Sequence, residues 1–281
     1  MQLGPFDALK TYRYLRIGIV CAVVLLAASI GIEAVKAGCL QTSISAYYYT
    51  PVRAIFVGSL FAIGLALIVF KGRGSRDDFL LNLAGMLAPV VAVAPTTDVG
   101  RCYSFPPNPL PLEGDSLAQW VVTNIDNNFR ALLIVGGVGL GVAIITWFVT
   151  RNDPQRAAEN QRGTVAAMAG TAVVLLLAWW LLERWDDFYT LAHGYAAALM
   201  FAFLAAAILS NAWEERNTRR RVLTRTYVAI GLLMIAGVVF PALRLFDEHV
   251  VFALEAYEIT WFAVYWLIQT VENWDEEVAA P

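Results

Sequence analysis

Long apolar segments recur along the whole chain and are separated by short polar ones. The apolar runs are continuous rather than alternating, which indicates helices rather than the strands of a membrane barrel. A helix needs about 20 mostly apolar residues to cross a hydrocarbon core about 30 Å thick. We therefore predict an all-α, polytopic transmembrane helical bundle with about eight spans. The spans are predicted near residues 15–35, 52–70, 79–96, 130–150, 164–183, 188–211, 226–246 and 249–271.

The composition supports a membrane protein. Hydrophobic residues make up 59% of the chain and charged residues 15%, against roughly 45–50% and about 25% in a soluble domain. No polar stretch is long enough to fold separately, so a single transmembrane domain over residues 1–281 is predicted. The net charge of -3 and the scattered basic residues leave no footprint for nucleic acid.

The lysines and arginines predict the orientation, because positively charged loop residues stay on the cytoplasmic side. If the N-terminus is cytoplasmic, about 14 of them fall in cytoplasmic segments and about 6 on the other face. An even number of spans then returns the acidic C-terminal tail to the cytoplasm. Both termini are predicted to be cytoplasmic, in a multi-pass protein of the plasma membrane. The cytoplasmic set is Lys10, Arg13, Arg16, Lys71, Arg73, Arg76, Arg151, Arg156, Arg162, Arg216, Arg219, Arg220, Arg221 and Arg225.

The longest predicted outer loop, residues 97–129, contains the segment FPPNPLPLEGD, in which proline disfavours both helix and sheet. It is interpreted either as an ordered cap over the outer mouth or as a surface linker. Under this topology Cys39 and Cys102 lie on the same outer face. A disulfide between them is predicted for an oxidising compartment, with two unpaired thiols as the alternative.

Ionisable residues inside spans are costly and usually face a cavity or a partner. Glu255 and Glu258 are spaced i, i+3 on one helical face, about 9 and 14 Å from His249 along the helix. Asp186, Thr190 and His193 share a face of the sixth span. All of these residues are predicted near the outer side.

We therefore predict an outward-opening polar pocket, in which Arg53 or Arg244 neutralises Glu255 or Glu258 and His193 lines the wall. The alternative is structural: the glutamates pair with arginines to fix helix register, and His193 is satisfied by a neighbour. The candidate ligand-binding residues are His193, Glu255, Glu258, Arg53, Arg244, Ser45, Tyr48, Asp98 and Asp186.

The sequence supports neither a phosphate-binding loop nor a metal site. The glycines from Gly136 to Gly141 lie inside an apolar span without a preceding strand, so a phosphate-binding loop is excluded. Gly137 and Gly141 instead predict a small-xxx-small face for close helix packing. With only two histidines in the chain, a three-histidine metal site cannot form, and neither a metal nor a cofactor is predicted.

Residues 43–96 carry a pattern that looks like SISAYYxTPxRxxFVGxLxAIG, then an inner KG loop with paired Asp, then NxAGxxAxxVAxxPT. It resembles a group of uncharacterised bacterial multi-pass membrane proteins. The last span, LEAYEITWFAVYWLIQ, is similar to the final helix of that group, with Glu255 and Trp266 at corresponding places; where this chain has Gln269, the group often has Lys nearby. The resemblance implies a bacterial membrane protein and no particular activity.

The sequence favours a non-enzymatic membrane protein. We expect it to bind or move a small ligand, lipid or ion through the outer pocket, or to scaffold another membrane protein, with membrane lipids as its other partners. The alternative is a membrane-embedded hydrolase that acts on a lipid-like substrate without a three-His zinc site. In that case Glu255 or His193 would serve as the base.

Overall fold

The computed structural model describes residues 5–70, 74–98, 100, 102, 115–151, 161–215, 221–242, 249–272 and 274. Its contacts divide the chain into two compact units. The first unit comprises Met1–Pro111 and His193–Pro281, and the second comprises Leu112–Ala192.

The described residues form eight α-helices and one short 3-10 turn, without strands. Six of the helices (α1 and α4 to α8) are long and apolar enough to cross a membrane. The described part of the chain is therefore all-α, and its six long apolar helices are typical of a multi-pass membrane protein. The helices are α1 Pro5–Ala37, α2 Arg53–Val69, α3 Ser75–Val93, α4 Asp115–Thr150, α5 Gln161–Arg184, α6 Phe188–Glu215, α7 Arg221–Ala242 and α8 His249–Glu272; the 3-10 turn is Ser45–Tyr49.

In the first unit, α2 and α3 form a tightly packed hairpin. A Cβ at Gly64 would lie 2.7 Å from the Gly85 carbonyl oxygen, and a Cβ at Gly85 equally close to the Gly64 oxygen. Real Cβ atoms do not approach backbone oxygen that closely, so glycine on both helices permits this contact. α2 has 17 residues, which makes it shorter than the six long apolar helices.

The segment between α1 and α2 is buried from Gln41 to Tyr48 and is tied down at several points. A disulfide joins Cys39 to Cys102. The Gln41 side chain donates to the Cys102 carbonyl at 3.1 Å and accepts from its N–H at 3.2 Å. The Phe252 N–H of α8 donates to the Thr42 carbonyl at 3.0 Å. These contacts fix the backbone that carries the 3-10 turn.

Arg16 of α1 is buried, with 2% of its surface exposed. Its guanidinium carbon lies 4.6 Å from the centroid of the Tyr12 ring and 4.4 Å from that of Phe70. It also donates to the Gln269 side-chain oxygen at 3.3 Å and to the Tyr12 hydroxyl at 2.6 Å. Aromatic faces and amide and hydroxyl oxygens therefore surround this cation.

In the second unit, α4 begins at Asp115, inside the predicted outer loop 97–129 and well before the predicted span start at residue 130. Arg130 pairs with Asp126 at 2.9 Å, one turn earlier, and with Glu183 of α5 at 2.7 Å. These ion pairs extend the helix beyond its apolar part. Of the predicted proline-rich segment, residues 105–114 lie outside the described residues.

The glycines of α4 pack differently from the prediction. A Cβ at Gly137 or Gly141 would meet nothing within 4 Å, whereas one at Gly136 would lie 2.6 Å from Leu175 of α5. The helix contact within this unit therefore uses Gly136. The predicted small-xxx-small face at Gly137 and Gly141 is open in the part of the chain that the structure describes.

Candidate functional site

Ser45 lies at the centre of a polar cluster in the first unit. Its Oγ atom is 2.8 Å from Oε1 of Glu255 on α8 and 2.7 Å from Nε2 of His193 on α6. Ser45 and His193 are buried. The cluster thus joins three of the residues that the sequence predicted for the site, from three separate elements.

The Glu255 carboxyl is held by the 3-10 turn and the residue before it. Its Oε2 atom accepts the backbone N–H of Ile44 at 2.5 Å and that of Ser45 at 3.3 Å. Successive backbone N–H groups that point the same way form a concavity suited to an anion. Main-chain and hydroxyl groups therefore bind both oxygens of this carboxyl, and its predicted neutralisation by Arg53 or Arg244 stays a prediction.

The His193 ring is oriented by a main-chain oxygen. Nδ1 lies 2.5 Å from the carbonyl oxygen of Ala94, just after α3. A carbonyl oxygen can only accept, so Nδ1 carries a proton, and Nε2 faces Ser45.

The two hydrogen bonds that link Glu255, Ser45 and His193 require one proton in addition to that of the Ser45 hydroxyl. The two contacts of Ser45 Oγ need two hydrogens, and the hydroxyl supplies one. The second sits either on the Glu255 carboxyl or on His193 Nε2. Both arrangements are neutral overall, which suits a site removed from water.

An apolar pocket opens onto this cluster. Its volume is about 60 Å³, several times the roughly 10–15 Å³ that one water molecule needs on the same measure. Ser45 and Glu255 are the polar residues in its lining. The rest is apolar and comes from α1, α2, α3, α6 and α8 and from Ile44, and includes Phe56, Leu67, Met200 and Phe262.

Three other predicted site residues lie away from this pocket lining. Arg53 donates to the Tyr48 hydroxyl at 2.8 Å, with its guanidinium 4.4 Å from the centroid of that ring. Asp98 accepts from the Thr42 hydroxyl at 2.5 Å and from the Gly100 N–H at 2.9 Å.

The structure describes one of the last two predicted site residues. Asp186 is exposed in the turn before α6, in the second unit, and is not part of the cluster. Arg244 lies outside the described residues, so its role in the pocket stays a prediction.

Glu258 lies one turn beyond Glu255 on α8 and is 3% exposed. Neither of its carboxyl oxygens has a hydrogen-bond partner among the described residues. The two glutamates that the sequence treated as a pair therefore have different environments. Within the same described part of the chain, no group of three His, Cys, Asp or Glu side chains is placed to hold a metal ion.

The described residues thus combine six apolar helices long enough to cross a membrane with a Ser–His–Glu cluster beside an apolar pocket. Comparison with known protein families, with curated proteins and with solved structures gave no match to this chain. Membership of the bacterial group that residues 43–96 resemble stays a prediction.

Proposed function

We propose that this protein crosses the bacterial plasma membrane eight times, with both termini in the cytoplasm, and binds a lipid-like amphiphile in the apolar pocket. The hydrocarbon part lies between α1, α2, α6 and α8, and the polar end hydrogen-bonds to Ser45 and Glu255. One observation carries the proposal: an otherwise apolar lining has its polar groups in one place. Ligand sites commonly combine apolar walls with a few convergent polar groups.

The chemistry of the polar end restricts the ligand. Ser45 can donate or accept, and Glu255 accepts when ionised and donates when protonated. A hydroxyl, an amide or a protonated acid at the end of an apolar chain meets both groups. A strongly charged headgroup does not, because the surrounding surface is apolar and offers no counter-charge.

The test is to extract and identify by mass spectrometry the lipids that remain with the purified protein after extensive detergent exchange. Ala197 lines the pocket, and a phenylalanine at this position fills it. Its neighbour Ala198 is exposed on the same helix and provides the matched control. We expect Ala197→Phe to lose the retained amphiphile and Ala198→Phe to keep it. Equal retention by the two variants, or no retained amphiphile in the wild type, contradicts the proposal.

The Ser45–His193 contact favours a second candidate, a hydrolase for an ester or amide of a lipid-like molecule. The 2.7 Å contact and the Nδ1 bond to Ala94 are the arrangement that a serine nucleophile and its base require. Ser45 Oγ would attack the carbonyl carbon while its proton passes to His193 Nε2. His193 would then protonate the departing alcohol or amine, and water would hydrolyse the acyl-serine.

The N–H groups of Ile44 and Ser45 are suited to bind the oxyanion of this reaction, but the Glu255 carboxyl occupies them. Catalysis therefore requires Glu255 to move aside. A fluorophosphonate probe tests this candidate in the wild type and in Glu255→Ala, with Ser45→Ala as the control. A Ser45 adduct that is stronger in Glu255→Ala supports the hydrolase, and no adduct in either protein eliminates it.

A further inference from the structure

Glu258 has a buried carboxyl without a hydrogen-bond partner among the described residues. It is 3% exposed, and both oxygens lack a hydrogen bond in the part of the chain that the structure describes. Glu255, three residues earlier, takes part in three hydrogen bonds. Among the described residues, a glutamate carboxyl on α8 is thus hydrogen-bonded at position 255 and without a partner at position 258.

The space for this carboxyl is provided by α7. A Cβ at Gly237 would overlap Oε1 of Glu258, so any larger residue there would displace the carboxyl. The same Cβ at Gly237 would lie 3.2 Å from Cδ1 of the Tyr257 ring. The Tyr257 hydroxyl donates to the Leu233 carbonyl at 3.2 Å. The α7–α8 contact therefore accommodates the Glu258 carboxyl without offering it a hydrogen-bond donor.

The basic residues on α1 and α7 whose side chains the structure describes are engaged elsewhere or lie far along their helix. Arg225 is 12 residues before Gly237, about 18 Å at 1.5 Å per residue. On α1, Arg16 binds Gln269 and Tyr12, and Glu33 interacts electrostatically with Tyr47 of the 3-10 turn. The remaining ionisable groups on α7 and α8 with described side chains are Arg221, Tyr227, Glu255, Tyr257, Tyr265 and Glu272.

An isolated carboxylate is unstable in such surroundings. Ionised groups moved from water into an apolar interior lose far more solvation than neutral ones, and the group neutralises instead. A Ca²⁺-like cation is no substitute for the proton, because such an ion needs several oxygen ligands and the described residues place no group of three His, Cys, Asp or Glu side chains to hold one. The neutral acid is the form that fits the space beside Gly237.

We propose that Glu258 is a proton-binding site within the membrane, separate from the amphiphile pocket. In the described state its carboxyl holds the proton as a neutral acid. Release requires water or a cation to enter the α7–α8 contact, so proton loss is coupled to separation of these two helices. The proposal stands whether or not the pocket binds a lipid.

Infrared spectroscopy tests the protonation directly. A protonated carboxylic acid has a carbonyl stretch separate from the bands of a carboxylate, and an acid without hydrogen bonds absorbs at the high-frequency end of its range. We expect the wild type minus Glu258→Gln difference spectrum to contain such a high-frequency acid band. Glu255→Gln is the matched control and should leave that band in place. A Glu258→Gln spectrum that loses carboxylate bands instead overturns the proposal.

Carbodiimide labelling provides a second measurement on the unmutated protein. The acid proton of Glu258 transfers to a carbodiimide nitrogen while the carboxyl oxygen bonds to the central carbon. The O-acylisourea then rearranges to a stable N-acylurea, with no leaving group. Peptide mapping by mass spectrometry should locate a hydrophobic carbodiimide on Glu258 and leave Glu255 unmodified. Modification of Glu255 without Glu258 overturns the assignment.

Discussion

A methionine at position 255 and a methionine at position 258 are expected to change stability in opposite directions. Methionine is unbranched and close to glutamate in size, so both substitutions keep most of the packing and remove the carboxyl. Both sites lie on α8, one turn apart. The pair therefore isolates the effect of hydrogen bonding from that of helix position.

The magnitudes follow from the contacts. Glu255→Met leaves the buried N–H groups of Ile44 and Ser45 without their acceptor. Each orphaned donor costs about 1–3 kcal/mol, so the loss is about 2–6 kcal/mol in the free energy of unfolding. Glu258→Met removes a buried group that has no partner among the described residues, which stabilises the fold by about 1–3 kcal/mol.

Thermal unfolding of both variants in the same detergent measures the contrast. At roughly 2 °C per kcal/mol for a chain of this size, Glu255→Met should lower Tm by about 4–12 °C. Glu258→Met should raise it by about 2–6 °C. Equal losses in both variants would refute the reasoning, because they would show that Glu258 has a stabilising partner.

Three further predictions concern the framework around the site, and each is checked by the same Tm measurement. Gly85→Ala forces a Cβ against the α2 backbone and should destabilise the fold by about 1–3 kcal/mol. Gly58→Ala places a Cβ that meets nothing within 4 Å and should stabilise the fold by up to about 1 kcal/mol. Equal effects of the two variants would contradict the close α2–α3 contact. Cys102→Ser opens a loop of 63 residues and should lose about 4 kcal/mol, a loss that a reductant should reproduce in the wild type and not add to in the variant. Arg16→Lys replaces a guanidinium that lies against two rings and should lose about 2 kcal/mol; an unchanged Tm would mean that an ammonium is equally well accommodated.

The positions of the helices could be predicted because a lipid bilayer requires long apolar helices. The length and composition of the apolar segments in the sequence show where such helices can form. The eight predicted segments each coincide with a helix. The start of α4 could not be predicted in this way. Its first turns are polar, and the ion pairs of Arg130 with Asp126 and Glu183 that accompany them depend on tertiary position, which hydropathy does not record.

The side chains of the candidate site could be predicted, and the hydrogen bonds that hold them could not. Ser45, His193 and Glu255 are polar groups in or beside apolar segments, and such groups require hydrogen-bond partners. The partners that organise them, the Ile44 N–H and the Ala94 carbonyl, are main-chain groups that every residue possesses, so the sequence carries no signal for them. The contact of Arg53 with the Tyr48 hydroxyl could not be predicted either, because it depends on how the backbone folds between these two residues.

The difference between the two glutamates bears on function. The hydrogen bonds of Glu255 to Ile44 and Ser45 compensate for removing its carboxyl from water. Glu255 therefore has a structural role even if the protein binds no ligand. Glu258 makes no such contact in the described part of the chain, and a methionine there is expected to be more stable. Residues that lower stability are a recurrent feature of functional sites, where stability is traded for activity. The rise in Tm expected for Glu258→Met would therefore separate a carboxyl kept for stability from one kept for the proton it holds.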